Sequence, residues 1–416
     1  MAGNNSNLGA AKRAKNDEFY TQYSDIEAEM NAYVELDPDV FRGKTVLLPC
    51  DDPEWSNFTK YFAANFERFG LKKLISTSYA KSVGSKQLTL LEQEPPMFDA
   101  DKHDTHGKLF VLERDANGSG RIDTDDIKFS GYLEGDGDFR SAEVKALRDE
   151  ADIIITNPPF SLFREFLGWI LEARKQFVIL GNMNAITYKE VFPYLKDNEI
   201  WLGYKSLNQD MYFDVPEERR QWLLVNKKEG SAYKIIDGVV MGRLASACWF
   251  TNLDHGKRHQ TLMLDTMEHN LKFNKRLRKK YESNYGKAEY PHYDNYDAIE
   301  IPFVEAIPND YDGMMGVPIT FMDKYNPEQF EIIGLAPERL SCDQSSLQIK
   351  RYINAVQHKK DGSTCGGNKV NDGPVIVHEA IPPKFPYYTC ENVPGKYLEV
   401  LYARILIRPM KGGNAK

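Results

Sequence analysis

The chain has 416 residues, 42% of them hydrophobic and 12% aromatic, and a net charge of −8. That is enough apolar material for one large folded body with a smaller module, or for about two to three domains. No apolar run approaches the roughly 20 residues of a membrane span, and an acidic chain is poorly suited to coating nucleic acid indiscriminately, although a local basic stripe still serves a specific binder.

Residues 1–16, MAGNNSNLGAAKRAKN, are polar and basic, with Lys12, Arg13 and Lys15 clustered. Lacking an apolar stretch, they read as a flexible arm and not as a secretory signal. The five cysteines (50, 248, 342, 365 and 390) show no CxxC spacing and read as free thiols of a reducing compartment. TVLLP (45–49) predicts a buried strand, CDDPEW a polar turn, and SNFTKYFAANFERFG a helix stopped by Gly70. LKKLISTSY (71–79) is the next strand. KLFVLER and DDIKFSGYL flank a Gly-rich turn and predict a hairpin, which GDGDFRS (135–141) follows.

In ADIIITNPPFSLFREF (151–166), four β-branched residues run into Asn157, Pro158, Pro159 and Phe160. A helix is expected from Ser161, with Ser161 as its cap and Leu162, Phe163, Phe166, Leu167, Ile170 and Leu171 on one face. QFVILGN (176–182) predicts another buried strand. This alternation points to a parallel α/β sheet, whose ligands sit at the carboxyl ends of the strands. Beyond residue 205 the pattern is irregular and aromatic-rich. SACWFTNL (246–253), GVPITFM (316–322), FEIIGL (330–335) and YARILIR (402–408) are strand candidates between long polar stretches, which read as recognition insertions. KFNKRLRKK (272–280) contains no acid and competes as either a phosphate-contacting stripe or a solvated helix face.

The turn at 157–160 carries chemistry. Prolines surrender backbone donors and fix φ, so the turn is stiff and rich in acceptors. An amine conjugated to an aromatic base is a poor nucleophile, because its lone pair is delocalised into the ring. Asn157 Oδ1 and the Pro158 carbonyl, placed on the amine hydrogens, would draw the nitrogen toward tetrahedral geometry, while Phe160 stacks on the flat ring. A methyl group on a sulfonium leaves easily, so alignment and electrostatics suffice without a covalent enzyme intermediate. An ordinary strand-to-helix turn is the competing explanation.

Asn-Pro-Pro-Phe resembles the fourth motif of amino-group DNA methyltransferases that use S-adenosylmethionine. More closely, the chain is similar to the EcoRI-type adenine-specific DNA methyltransferases, through DEFYTQYSDIE (17–27), CDDPEWSNF (50–58), GDGDFRS, TNPPFSLFREF, ITYKEVF (186–192), IWLG (200–203), YDNYDAI (293–299), GVPITF and NPEQFE (326–331). The resemblance implies a Rossmann-like class I methyltransferase sheet, mostly parallel with helices on both faces, and inserted and C-terminal DNA-recognition segments. It divides the chain into a basic arm (1–16), a catalytic and cofactor-binding core (17–204), recognition insertions with some core strands (205–310), core strands (311–335), a variable recognition segment (336–395) and a terminal strand and tail (396–416).

The same resemblance assigns candidate residues. Phe19, Tyr20 and Thr21 match the N-terminal cofactor-contacting motif, with Gln22 where proline is commoner. Cys50, Asp51 and Asp52 occupy the first-motif position without its usual glycines, where the two acids could attract the cofactor's cationic groups or cap a helix. Asp138 and Phe139 match the third motif, which holds the cofactor adenine. Asn157, Pro158, Pro159 and Phe160 form the catalytic turn, with Asn157 also beside the cofactor. Lys12, Arg13, Lys275, Arg276 and Arg278 are DNA-contact candidates. The second strand ends in Ser76, Thr77 and Ser78 with no acid to hold the cofactor ribose.

The implied reaction is N6-methylation of an adenine flipped out of duplex DNA, in a short AT-centred palindrome of the GAATTC kind. The implied setting is a monomer in the cytoplasm of a bacterium or a phage-infected cell, alongside a cognate restriction endonuclease with which it forms no stable complex. Alternatives are methylation of an RNA guanine amine or a protein glutamine amide, or a DNA-binding module without catalysis. Three decoys compete locally. Pro49-Cys50 and Glu391-Asn392-Val393 mimic cytosine-C5 methyltransferase elements, DANGSGRIDTDD (115–126) mimics a calcium loop, and scattered histidines with Cys365 mimic a metal set. Their spacings favour none of the three, and no metal is expected.

Overall fold

The computed structural model describes residues 20–53, 56–80, 99, 102, 105–113, 131–286, 288–337, 347–379 and 381–410. The chain divides into two compact units, Met1–Met183 with Trp201–Gly256, and Asn184–Ile200 with Lys257–Lys416.

In the first unit, β1 (Tyr20–Thr21) leads into helix α1 (Tyr23–Leu36). The run Thr45–Leu48 is buried at every position and forms β2. Helix α2 (Asn57–Ala64) follows, then a single helical turn, Phe66–Phe69, ended by Gly70 at φ +62°. Next come β3 (Lys73–Thr77), β4 (Lys108–Leu112), β5 (Gly131–Tyr132), α3 (Ala142–Glu150), β6 (Ile153–Thr156), α4 (Phe163–Glu172), β7 (Gln176–Asn182) and β8 (Trp201–Leu202). The unit closes with β9 (Met211–Asp214), α5 (Glu217–Asn226), β10 (Tyr233–Ile236), β11 (Val239–Leu244) and β12 (Ala247–Thr251).

Eight strands form one mixed sheet in the order β5-β4-β3-β2-β6-β7-β12-β8. The pairings β3–β2, β2–β6 and β6–β7 are parallel, whereas β4 and β12 flank this centre antiparallel to their neighbours. The expectation of a mostly parallel sheet is therefore corrected: parallel pairing is confined to the four central strands. Strand order reverses between β2 and β6, and in open α/β sheets the crevice beyond that point receives ligands. Lys108–Leu112 pairs with Gly131–Tyr132 as a hairpin, and the calcium-like turn at 115–126 lies outside the described residues. The remaining strands form a four-stranded antiparallel sheet, β1-β9-β11-β10. A core that includes Val46, Leu48, Ile153, Ile155, Phe58, Phe62 and Trp249 unites helices and sheet.

The helix after β6 differs from expectation. Leu162 N–H bonds to the Pro159 carbonyl, so Phe160–Leu162 forms a 3₁₀ turn and α4 begins at Phe163. Ser161 is exposed and caps nothing. Two prolines stiffen the strand exit, and the tighter i→i+3 turn absorbs the change of direction that a cap was expected to make.

The second unit contains α6 (Met267–Phe273), α7 (Lys275–Tyr285), β13 (Ile299–Glu300), β14 (Met315–Pro318), β15 (Phe330–Ala336), β16 (Val356–His358), β17 (Thr364–Gly366), β18 (Val375–His378), β19 (Tyr387–Cys390), β20 (Val393–Val400) and β21 (Arg404–Pro409). Strands β13-β14-β21-β15 form one sheet and β17-β16-β19-β20-β18 another. The apolar runs in 311–335, expected as strands of the core, pair within the first of these. A buried ion pair ties its strands, with Arg404 donating to both Glu300 oxygens at 2.7 and 3.0 Å. No helix among the described residues is long and apolar enough to cross a membrane.

Candidate functional site

The loops leaving β2 and β6 meet at the strand-order reversal, and Asp51 joins them. Its Oδ2 accepts from Thr156 Oγ1 at 2.6 Å, and its Oδ1 accepts from Ser56 Oγ at 2.9 Å. Ser56 in turn caps α2, accepting from the N–H groups of Phe58 and Thr59. Asp51 is thus a buried brace between the turn before α2 and the strand carrying Asn157, not a carboxylate open to solvent. Burial pushes its carboxyl up to about 7, against the opposing hydrogen bonds from Thr156 and Ser56. Asp52 is more open and pairs with Lys108 Nζ at 3.2 Å.

The hydroxyls that end β3 are engaged in holding this loop. Ser76 Oγ donates to the Asp51 carbonyl at 2.7 Å, and Thr77 Oγ1 donates to the Pro49 carbonyl at 3.2 Å. Ser78 Oγ accepts from Lys108 N–H. The 135–138 loop lies directly beyond, since Ala80 N–H donates to the Asp136 carbonyl at 2.7 Å. Gly137 adopts φ +83°, and a Cβ there would stand 2.1 Å from the Ser78 carbonyl oxygen, so no other residue fits this approach.

Asp138 accepts from Arg140 through both carboxylate oxygens, at 2.9 and 2.5 Å. That guanidinium holds its carboxyl below the usual range. Phe139 is buried, edge-on to Phe166 at 5.1 Å and to Trp169 at 5.7 Å. Phe139, with Arg140 on Glu165, therefore anchors this loop to α4.

In the Asn157–Phe160 turn, Pro158 is buried, while Asn157, Pro159 and Phe160 are half-buried. The Pro159 carbonyl accepts from Leu162 N–H, whereas the Pro158 carbonyl accepts no hydrogen bond among the described residues. Phe160 rests partly on the main core.

The N-terminal motif reaches the same place. Thr21 pairs with Phe213 in the smaller sheet, and its carbonyl accepts from Asn57 Nδ2 at 2.8 Å. The Thr21 hydroxyl is buried and has no hydrogen-bond partner among the described residues, a donor suited to an anionic group such as a cofactor carboxylate. Tyr20 is exposed. Phe19, Lys12 and Arg13 lie outside the described residues.

Cys50 is half-buried, and its thiol is pushed up by burial first and then by the carboxylates of Asp51 and Asp138. A thiol shifted in that direction is less nucleophilic, which weighs against the cytosine-C5 resemblance. In the second unit, Lys275, Arg276 and Arg278 are exposed on α7. The Arg276 guanidinium lies 3.7 Å above the Phe303 ring centroid, and Arg278 approaches Glu282 at 3.8 Å.

Sequence reasoning missed Ser56, Asn57, Lys108 and Thr156 as parts of this assembly. Thr156 carried one signal, a hydroxyl at the end of a strand otherwise entirely apolar.

A family model described as adenine-specific methyltransferase EcoRI matches residues 7–379. The chain is 41% identical over 351 residues to the type II methyltransferase M.EcoRI of Escherichia coli, covering 84% of this chain and 94% of that one. It is 35% identical over 350 residues to the type II methyltransferase M.MpnI of Mycoplasma pneumoniae, covering 83% and 90%. No solved structure matches the chain.

Proposed function

The chain belongs to the EcoRI family of adenine-specific methyltransferases, and on that premise we propose that it is a type II DNA adenine methyltransferase acting on the N6 amine of an adenine flipped out of duplex DNA. One observation carries the reading: the Asn157–Phe160 turn, whose Pro158 carbonyl accepts no hydrogen bond among the described residues, stands at the strand-order reversal and is braced through Thr156 to Asp51. On this reading the eight-stranded sheet is a Rossmann-like class I methyltransferase sheet that gained antiparallel flanks.

S-adenosylmethionine, the methyl donor that the family implies, supplies when bound an electrophilic methyl group on a sulfonium. Asn157 Oδ1 and the Pro158 carbonyl accept from the two amine hydrogens and turn the nitrogen lone pair out of the ring. Pro159 holds that geometry by fixing φ. Phe160 stacks on the extruded base and offsets part of the stacking lost in the duplex. Thr21, with Phe19 and Tyr20, holds the cofactor's amino-acid end. Asp52 and the loops at Cys50 and Asp138–Phe139 would shape the rest of its pocket, and Asp51 positions Asn157 through Thr156.

Lys275, Arg276 and Arg278 contact phosphates, as do Lys12 and Arg13. Recognition of a short AT-centred palindrome resembling GAATTC is assigned to residues 205–310 and 336–395. The enzyme acts as a cytoplasmic monomer, independently of any endonuclease that shares its site. Mapping modified bases in DNA from cells expressing the protein tests the reading. N6-methyladenine within one short palindrome is expected, and modification without a shared sequence would contradict it.

A further inference from the structure

A row of rings crosses the five-stranded sheet of the second unit. Tyr285, the last residue of α7, rests on His378 of β18 with centroids 5.5 Å apart. His378 lies opposite Tyr397 of β20, which meets Tyr387 of β19 edge-on at 5.5 Å. Tyr387 is stacked on His358 of β16 at 4.7 Å and 11°, and Phe385 flanks it at 5.2 Å. These side chains alternate with Tyr388, Leu398 and Val377, which belong to the sheet's own core on the opposite face.

Burial and charge change along the row. His378 is buried at the helix end, while Tyr397, Tyr387 and His358 are half-buried and Phe385 is 49% exposed. Lys359, Lys360 and Lys384 surround that open end, exposed and without a salt bridge among the described residues. The nearby acids are already engaged: Asp361 by Ser363, Glu379 by Lys396 and Glu399 by His378. Residues 350–410 hold nine lysines and arginines against five acids, within a chain of net charge −8. At the other end stands α7, with its exposed cations.

We infer that this face of the sheet is a second DNA-contact surface, across which one duplex lies from α7 to Lys359, Lys360 and Lys384. The inference rests on the DNA methyltransferase reading above and extends it from α7 to the sheet. Three strand spacings separate β18 from β16, about 14 Å, and Lys275, Arg276 and Arg278 lie seven to ten residues before Tyr285, about 10–15 Å farther along α7. Cations at the two ends can therefore meet separate phosphates of one duplex. Phe385 and Tyr387 then lie against sugar edges between them. A polyanion accounts for a cluster of exposed lysines on a basic segment of an acidic chain, which a purely apolar partner does not.

The test uses the full chain carrying Lys359→Gln, Lys360→Gln and Lys384→Gln together, and separately Phe385→Ala. Kd for a duplex containing the mapped site is measured between about 50 and 200 mM salt, with thermal melting as the folding control. The triple variant should melt like the parent and bind more weakly. Its slope of log affinity against log salt should shallow by about 0.9 for each lysine that meets a phosphate. Phe385→Ala should weaken binding with the parent's slope. Parent-like affinity and slope in the triple variant overturn the surface while leaving the methyltransferase reading intact. A parent protein that fails to methylate duplex DNA overturns both.

Discussion

Thr156 donates a 2.6 Å hydrogen bond to Asp51, although 105 residues separate them in the chain. The bond fixes the last residue of β6, and so the direction in which Asn157 leaves the sheet. Thr156→Val keeps the shape and deletes the donor to a buried carboxyl. It should cost about 1–3 kcal/mol of stability and slow methyl transfer, while Thr156→Ser restores both. Urea midpoints and single-turnover rates check this; a Val variant with full activity would remove Asp51 from the positioning role.

Burial raises the folded-state Asp51 carboxyl to about 7, against about 3.9 in an unfolded chain. Between those values the folded protein keeps a proton that the unfolded chain has released. This group's contribution to stability is therefore complete below about pH 4 and is lost as pH rises toward 7, with a slope of at most about 1.4 kcal/mol per unit. Asp51→Asn, uncharged throughout, should show a flatter stability profile across that window. Equal profiles from denaturation at several pH values would show that Asp51 ionises normally.

The Thr21 hydroxyl, without a partner among the described residues, separates stability from binding. Thr21→Val buries no polar group, so the variant should melt at or slightly above the parent temperature. If the hydroxyl donates to the cofactor's carboxylate, Kd for S-adenosylmethionine should rise about 10- to 100-fold. Calorimetric titration decides, and unchanged cofactor affinity would return Thr21 to a packing role.

Asn157→Ala removes an acceptor that acts on the amine. Methyl transfer should fall by at least about 10²-fold, with S-adenosylmethionine affinity little changed. Parallel loss of both would make Asn157 structural.

Much of the frame was legible because buried strands announce themselves. Thr45–Leu48, Ile153–Thr156 and Gln176–Asn182 are short apolar runs, and each became a central strand of the sheet. Which sheet a run joins is a long-range matter, and Gly316–Pro318 and Phe330–Leu335 gave no local sign that they pair with β21 in the second unit. Ser161 looked like a cap because its residue type and spacing fit. Only the competing bond from Leu162 N–H to the Pro159 carbonyl explains why it is not one. Asp51 and Asp52 read alike as cofactor-facing acids. Asp51 is turned inward because a nearby hydroxyl, Ser56, and a distant one, Thr156, converge on it.

The central claim concerns the atom that receives the methyl group. Isotopically labelled S-adenosylmethionine, purified protein and duplex DNA, followed by nucleoside analysis of the product, test it directly. Label is expected in N6-methyladenine, lowered at least about 10²-fold by Asn157→Ala. Label in N4-methylcytosine, or in protein instead of DNA, would contradict it.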